Sequence, residues 1–169
     1  MNLHSDYYTN LDLKYSPEKL IRESTEIKYK PFESGRNRGT WFDYAPTWLQ
    51  GRVFDTLPYE EIDRLTNLLR QKAELESIKP RFYKQEKNTE VPMHADHNTL
   101  CCVNIILSET AAPIVFEDIG EIQYRCALLN ITQRHMVPKF NTERLLLKFS
   151  IFDKTYEEVK ARLDELSSH

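Results

Sequence analysis

Three side chains in this sequence have the types and spacing of a metal site. His94 and Asp96 stand two apart in the stretch Val91-Pro92-Met93-His94-Ala95-Asp96-His97-Asn98, and His135 follows 39 positions after Asp96. On an extended segment, residues two apart send their side chains to the same face, so a single ion can be held by both. Two neutral imidazoles and one carboxylate on a face of an octahedral ion leave positions open for small ligands, which suits Fe(II) that must also bind oxygen. His97 lies next to Asp96 and on an extended segment points the other way, so it is set aside as a ligand. A His-x-Asp pair arises often by chance. What gives this one weight is its place at the edge of a β-rich block, with His135 after the apolar run Cys126-Ala127-Leu128-Leu129-Asn130-Ile131 and Arg144 nine residues beyond His135.

The elements that must position these residues are legible in outline. From Lys79 to Asp153 the chain is a series of short β-rich runs: Pro80-Arg81-Phe82-Tyr83, Leu100 to Leu107, Ile114-Val115-Phe116, Ile122 to Ile131 and Leu145 to Phe152. Turn-like Ser108-Glu109, Asp118-Ile119-Gly120 and Asn141-Thr142-Glu143 separate them. Such a succession predicts an all-β sandwich or barrel, and with no long helix inside the block a doubly wound parallel sheet is excluded. In the last run, alternation puts Arg144, Leu146, Lys148 and Ser150 on one face and Leu145, Leu147, Phe149 and Ile151 on the other. The apolar face wants helices against it.

Two helices answer that need. After Thr56-Leu57-Pro58 and the acidic Tyr59-Glu60-Glu61, the residues Ile62, Leu65, Leu68, Leu69 and Ala73 recur at helical spacing, predicting a helix near 59–75. Asp153-Lys154-Thr155 caps a final amphipathic helix with the stripe Tyr156, Val159, Leu163 and Leu166. Residues 1–56 read as irregular, with a short helix started by Pro17 and running through Glu18, Leu20, Ile21 and Ile27. There the aromatics Tyr29, Phe32, Trp41, Phe42, Tyr44 and Trp48 come in clusters, and Gly35-Arg36-Asn37-Arg38-Gly39 looks like a loop carrying two positive charges. The expected organisation is one domain. It comprises an irregular and helical support region (1–78), a jelly-roll core with the metal site (79–153) and a C-terminal helix (154–169).

Composition sets the outer bounds. The chain has 169 residues, 40% of them hydrophobic and 11% aromatic, enough for one domain with a real core. A net charge of −3 advertises no polyanionic partner, so nucleic acid is disfavoured. Cys101, Cys102 and Cys126 have neither zinc-module spacing nor the even count of a disulfide framework, and read as reduced core residues. The start Met1-Asn2-Leu3-His4-Ser5-Asp6 lacks a basic and then apolar run, and no stretch of about 18 apolar residues occurs, so a cytoplasmic chain without a membrane span is expected.

The succession Tyr83, His94-x-Asp96, Ala111-Ala112-Pro113-Ile114-Val115-Phe116, Ala127-Leu128-Leu129, His135 and Arg144 resembles the Fe(II)/2-oxoglutarate-dependent oxygenases, nearest in style to the prolyl-hydroxylase-like branch. The likeness covers about residues 80–153. It implies a double-stranded β-helix with flanking helices, iron held by His94, Asp96 and His135, and Arg144 as the anchor for the far carboxylate of 2-oxoglutarate. An Arg suits that role because its planar fork bonds a carboxylate through two parallel contacts. By the same likeness Tyr83 helps hold that carboxylate, while Asn104 and Lys148 line the cavity from neighbouring strands. Two positions depart from the family's pattern: Ala111-Ala112 stands where Gly-Gly is usual, and Leu146 where a Ser is often found two after the Arg.

The implied activity is hydroxylation of an aliphatic carbon in a peptide, protein or small molecule, with O2 consumed and succinate and CO2 as coproducts. Two other readings stay open: oxidative demethylation of a nucleic acid, and a jelly roll that binds a metal or a small acid without turnover.

Overall fold

The computed structural model describes residues 3–31, 48–52 and 59–167. Three short N-terminal strands, β1 (Tyr8–Asn10), β2 (Tyr29–Pro31) and β3 (Trp48–Arg52), precede a winding of eight more. These are β4 (Ile78–Gln85), β5 (Val91–His94), β6 (Cys101–Ile106), β7 (Ile114–Phe116), β8 (Gly120–Ile122), β9 (Cys126–Leu129), β10 (His135–Val137) and β11 (Arg144–Ile151). The chain passes back and forth between two sheets, one in the order β1-β9-β6-β11-β4-β3-β2 and the other in the order β5-β10-β7-β8. Every pairing is antiparallel. Eight strands shared in this alternating way form a double-stranded β-helix, the jelly roll expected from the sequence.

Strand β11 is the spine. It pairs with β4 from Arg144↔Gln85 to Ile151↔Ile78 and with β6 from Leu146↔Ile106 to Ile151↔Cys101. Its period-2 alternation divides the molecule as predicted. Leu147, Phe149 and Ile151 join Phe82, Leu65, Leu69, Tyr156 and Val159 in the main apolar core, while Leu146 packs on the inner side with Tyr83 and Ile106. Fully burying a Leu or Phe contributes about 1.5–3 kcal/mol, so this outer layer is what holds the sheet's shape.

The helices that cover it are specified locally. Helix α1 (Pro17–Thr25) starts at Ser16, whose Oγ accepts from the Lys19 N–H, with Pro17 in the first turn where its missing N–H costs nothing. Helix α2 (Glu60–Ala73) has Glu60, Glu61 and Asp63 in its first turn and Arg70 and Lys72 in its last, matching the helix dipole at both ends. It stops at Glu74, which takes a left-handed φ of 54° and returns its N–H to Arg70. Helix α3 (Tyr156–Arg162) opens with a reciprocal box between Thr155 and Glu158, and a 3-10 turn (Asp164–Leu166) extends its stripe.

The structure differs from the sequence-based expectation at several points. The N-terminal region is more than irregular and helical support, because β1 closes one edge of the large sheet and β2 and β3 extend the other. Three-residue strands such as β1 and β2 take their stability from the neighbour they pair with, which leaves little periodic signal. The first helix ends at Thr25 rather than reaching Ile27. The run Ile122–Ile131 is two strands in different sheets, with the chain crossing at Gln123-Tyr124-Arg125. Thr56-Leu57-Pro58, the Gly35–Gly39 loop and the aromatics Phe32, Trp41, Phe42 and Tyr44 lie outside the described residues, and for Trp48 only the strand position is given.

All three cysteines are free and buried, Cys101 on the helix side and Cys102 on the inner side of β6. Burial pushes the Cys102 and Cys126 thiols up to about 12, which keeps them protonated and unreactive. Among the described residues no helix is long and apolar enough to cross a membrane.

Candidate metal centre

Pairing of β5 with β10 builds the site. The two strands set His94 directly across from His135, and the imidazole centroids stand 4.5 Å apart. Asp96 follows the end of β5, its backbone N–H held by the Ile131 carbonyl at 2.9 Å. The donor atoms of His94, Asp96 and His135 all lie within 4.8 Å of one another. Asp96 Oδ1 is the oxygen between the rings, 3.3 Å from His94 Nε2 and 3.8 Å from His135 Nε2.

The backbone chooses the tautomers. His94 Nδ1 lies 2.7 Å from the Pro92 carbonyl and His135 Nδ1 2.7 Å from the Gln133 carbonyl. A carbonyl can only accept, so each Nδ1 carries the hydrogen and, in the neutral ring, each Nε2 presents a lone pair to the centre. Metal-ligating histidines are oriented in this way. Burial, helped by the neighbouring His94, lowers the His135 pKa to about 4, so that ring is neutral near pH 7. Burial would raise the Asp96 carboxyl, but Lys148 and the two histidines outweigh it and hold it well below the usual carboxylate range. A neutral nitrogen and an ionised oxygen, both acceptors, thus face one point. The donor set fits a divalent cation of the borderline class that accepts nitrogen and oxygen together.

Lys148 reaches the other oxygen of the same carboxylate, with Nζ 3.5 Å from Asp96 Oδ2. Burial would lower the Lys148 pKa, but Asp96 outweighs it and raises it. The Lys148 ammonium also lies over the Tyr83 ring, 5.7 Å from its centroid. Tyr83 is buried and its hydroxyl accepts from Gln50 Nε2 at 2.8 Å.

A second cluster forms around the Tyr124 hydroxyl. Arg144 is 3% exposed, and its Nη2 donates to the Tyr124 hydroxyl at 3.1 Å. Asn104 Nδ2 donates to the same hydroxyl at 3.0 Å. Arg144 Nε and Asn104 Oδ1 are buried with no hydrogen-bond partner. An orphaned buried guanidinium N–H is costly, and a carboxylate is its natural complement. Among the described residues no carboxylate lies within ion-pairing distance of Arg144.

The sequence-predicted residues therefore fall into two groups. His94, Asp96, His135 and Lys148 converge, and Arg144 and Asn104 are joined through Tyr124. Tyr83 stands between Gln50 and Lys148. His97 is exposed and outside the cluster. Tyr124 and Gln50 were missed. Both sit beside residues that were found, but they reach them across strand pairs and a sheet crossing, which no sequence spacing encodes.

The structure superposes on a viral collagen prolyl hydroxylase from Paramecium Bursaria Chlorella virus-1 in its 2-oxoglutarate complex with a TM-score of 0.61 at 10% identity, covering 86% of this chain and 95% of that one. A prolyl hydroxylase from Trichoplax adhaerens, in complex with a hypoxia inducible factor peptide fragment, gives 0.67 at 12% identity over 91% of this chain and 84% of that one. HygX from Streptomyces hygroscopicus, with nickel, 2-oxoglutarate and hygromycin B bound, gives 0.58 at 11% identity over 86% and 81%. No protein-family model and no curated protein sequence matches. The fold is that of the 2-oxoglutarate/Fe(II) oxygenases, in the form that prolyl hydroxylases share.

Proposed function

We propose that the protein is an Fe(II)- and 2-oxoglutarate-dependent dioxygenase that hydroxylates an aliphatic carbon of a peptide, protein or small molecule. The observation that carries this reading is the convergence of His94, Asp96 and His135, with Lys148 on Asp96 and, on the same face of β11, a buried Arg144 with an unpartnered Nε. The solved structures of this fold are consistent with either substrate kind, since one holds a peptide fragment and another hygromycin B.

In this reading His94 Nε2, Asp96 Oδ1 and His135 Nε2 hold the iron, and the Pro92 and Gln133 carbonyls fix the two rings. Arg144 anchors the far carboxylate of 2-oxoglutarate. Tyr124, bonded to both Arg144 and Asn104, keeps the guanidinium aimed and offers its own hydroxyl to the same carboxylate. Tyr83 and Lys148 bound the cavity between that anchor and the metal. Bound iron would supply C–H hydroxylation by O2 with 2-oxoglutarate as the two-electron co-reductant, one oxygen atom going to the substrate and the other into succinate as CO2 is released. The protein's share is orientation and a cavity from which water is excluded.

The experiment is anaerobic addition of Fe(II) and 2-oxoglutarate, followed by admission of O2. A visible charge-transfer band that needs both components, then succinate formation, is the expected result. A band without succinate would make the protein a binder of metal and a small acid, and no band would remove the iron reading.

A further inference from the structure

On the inner face of the large sheet, cationic side chains stand next to one another beside Asp96. Lys148 is matched with Arg81 across β11 and β4. Arg81 is half-buried and shares its face with Tyr83 and Gln85 by alternation. Like charges directly opposite one another on a sheet destabilise it. Among the described residues Lys148 pairs with Asp96, and neither Arg81 nor Arg144 has a carboxylate within ion-pairing distance. Asp96 divides its oxygens: Oδ2 goes to Lys148 at 3.5 Å, and Oδ1 faces His94 and His135 at 3.3 and 3.8 Å.

An incoming divalent ion therefore meets a carboxylate that is already compensated. It must share Asp96 with an ammonium, and it adds two further positive charges beside these cationic side chains. Lys148 does useful work in return, because it fixes the carboxylate with one oxygen turned to the imidazoles. A dianionic chelator entering with the metal cancels the added charge and satisfies Arg144. We propose that Lys148 is a positioning residue for Asp96 that makes metal binding conditional on an anionic co-ligand, so that the ion and the dianion bind cooperatively. This rests on the metal and 2-oxoglutarate sites of the preceding subsection.

Reciprocity supplies the test, since the factor by which 2-oxoglutarate tightens the metal equals the factor by which the metal tightens 2-oxoglutarate. Mn(II) affinity is measured by the electron paramagnetic resonance signal of the free ion, with and without 2-oxoglutarate, in the full chain and in Lys148→Met, Lys148→Gln and Lys148→Arg. Wild type is expected to bind Mn(II) weakly alone, with a coupling factor near the upper end of the usual range of about 5- to 150-fold. Lys148→Met should bind bare Mn(II) more tightly and lose about tenfold of the coupling. Lys148→Gln keeps a donor near Asp96 without the charge and should behave like Met, which covers the case in which the Met variant does not fold. Lys148→Arg should restore coupling.

Equal coupling in wild type and the neutral variants overturns the proposal while leaving the metal reading intact. Weaker Mn(II) binding in the neutral variants does so too, since Lys148 would then be only a scaffold for Asp96. Wild type that binds no Mn(II) under either condition overturns both.

Discussion

His94 and His135 are Cα partners across β5 and β10, and each donates its Nδ1 hydrogen to the carbonyl two residues before it in the chain. Both imidazoles are thus oriented by local backbone, while only the strand pairing brings them together. Either ring alone would be an ordinary strand histidine.

Loss of either ring should cost the metal site. His94→Ala and His135→Ala are expected to abolish Mn(II) or Ni(II) binding measured by calorimetry, while the far-ultraviolet circular dichroism stays that of the parent. Unchanged affinity in both variants would remove the triad from consideration.

Arg144 should dominate cosubstrate affinity. Removing one partner of a buried charge pair costs on the order of 2–5 kcal/mol, so Arg144→Ala should weaken 2-oxoglutarate by roughly 30- to 3,000-fold with little change in metal affinity. Arg144→Lys keeps the charge but loses the fork and should lie between. Tyr124→Phe should weaken 2-oxoglutarate less than Arg144→Ala does. If 2-oxoglutarate binds Arg144→Ala like wild type, the anchor is elsewhere, with Lys148 and Arg125 next in line.

Acid should destabilise the metal-free protein in a defined window. The His135 pKa falls from 6.5 in the unfolded chain to about 4 in the fold. Between those values the unfolded state binds the extra proton, so stability rises with pH there and is lost as pH falls from 6.5 towards 4. A shift of that size corresponds to about 3 kcal/mol. Asp96, whose pKa is held below its ordinary 3.8, loses its contribution only at lower pH. Urea midpoints taken across pH 4–7 should show the slope in wild type and a flatter one in His135→Gln. Equal slopes would exclude His135 as its source.

The C-terminal helix should matter for stability and not for metal. Leu163 is 1% exposed and packs in the helix-side core, so Leu163→Ala should cost about 2–5 kcal/mol in chemical denaturation. Mn(II) affinity of the folded fraction should stay at the parent value. A variant that melts like the parent but has lost metal would place the helix in the site.

By itself the sequence determined what depends on short-range periodicity and on chain order. The 3.6-residue stripe of α2 and α3 and the two-residue alternation of β11 follow from backbone geometry over a few residues. Reduced core cysteines followed from type and spacing alone. What only the tertiary structure decided are pairings between segments far apart in the chain. These include β1 to β3 closing the large sheet at both edges, and the crossing that splits Ile122–Ile131 between sheets. They also include the Tyr124 hydroxyl lying between Arg144 and Asn104, and Lys148 on one oxygen of Asp96 with the histidines on the other. The physical reason is that period-2 alternation fixes which face a side chain takes, whereas its neighbour on that face is set by the register of non-local hydrogen bonds, which individual residue types constrain only weakly.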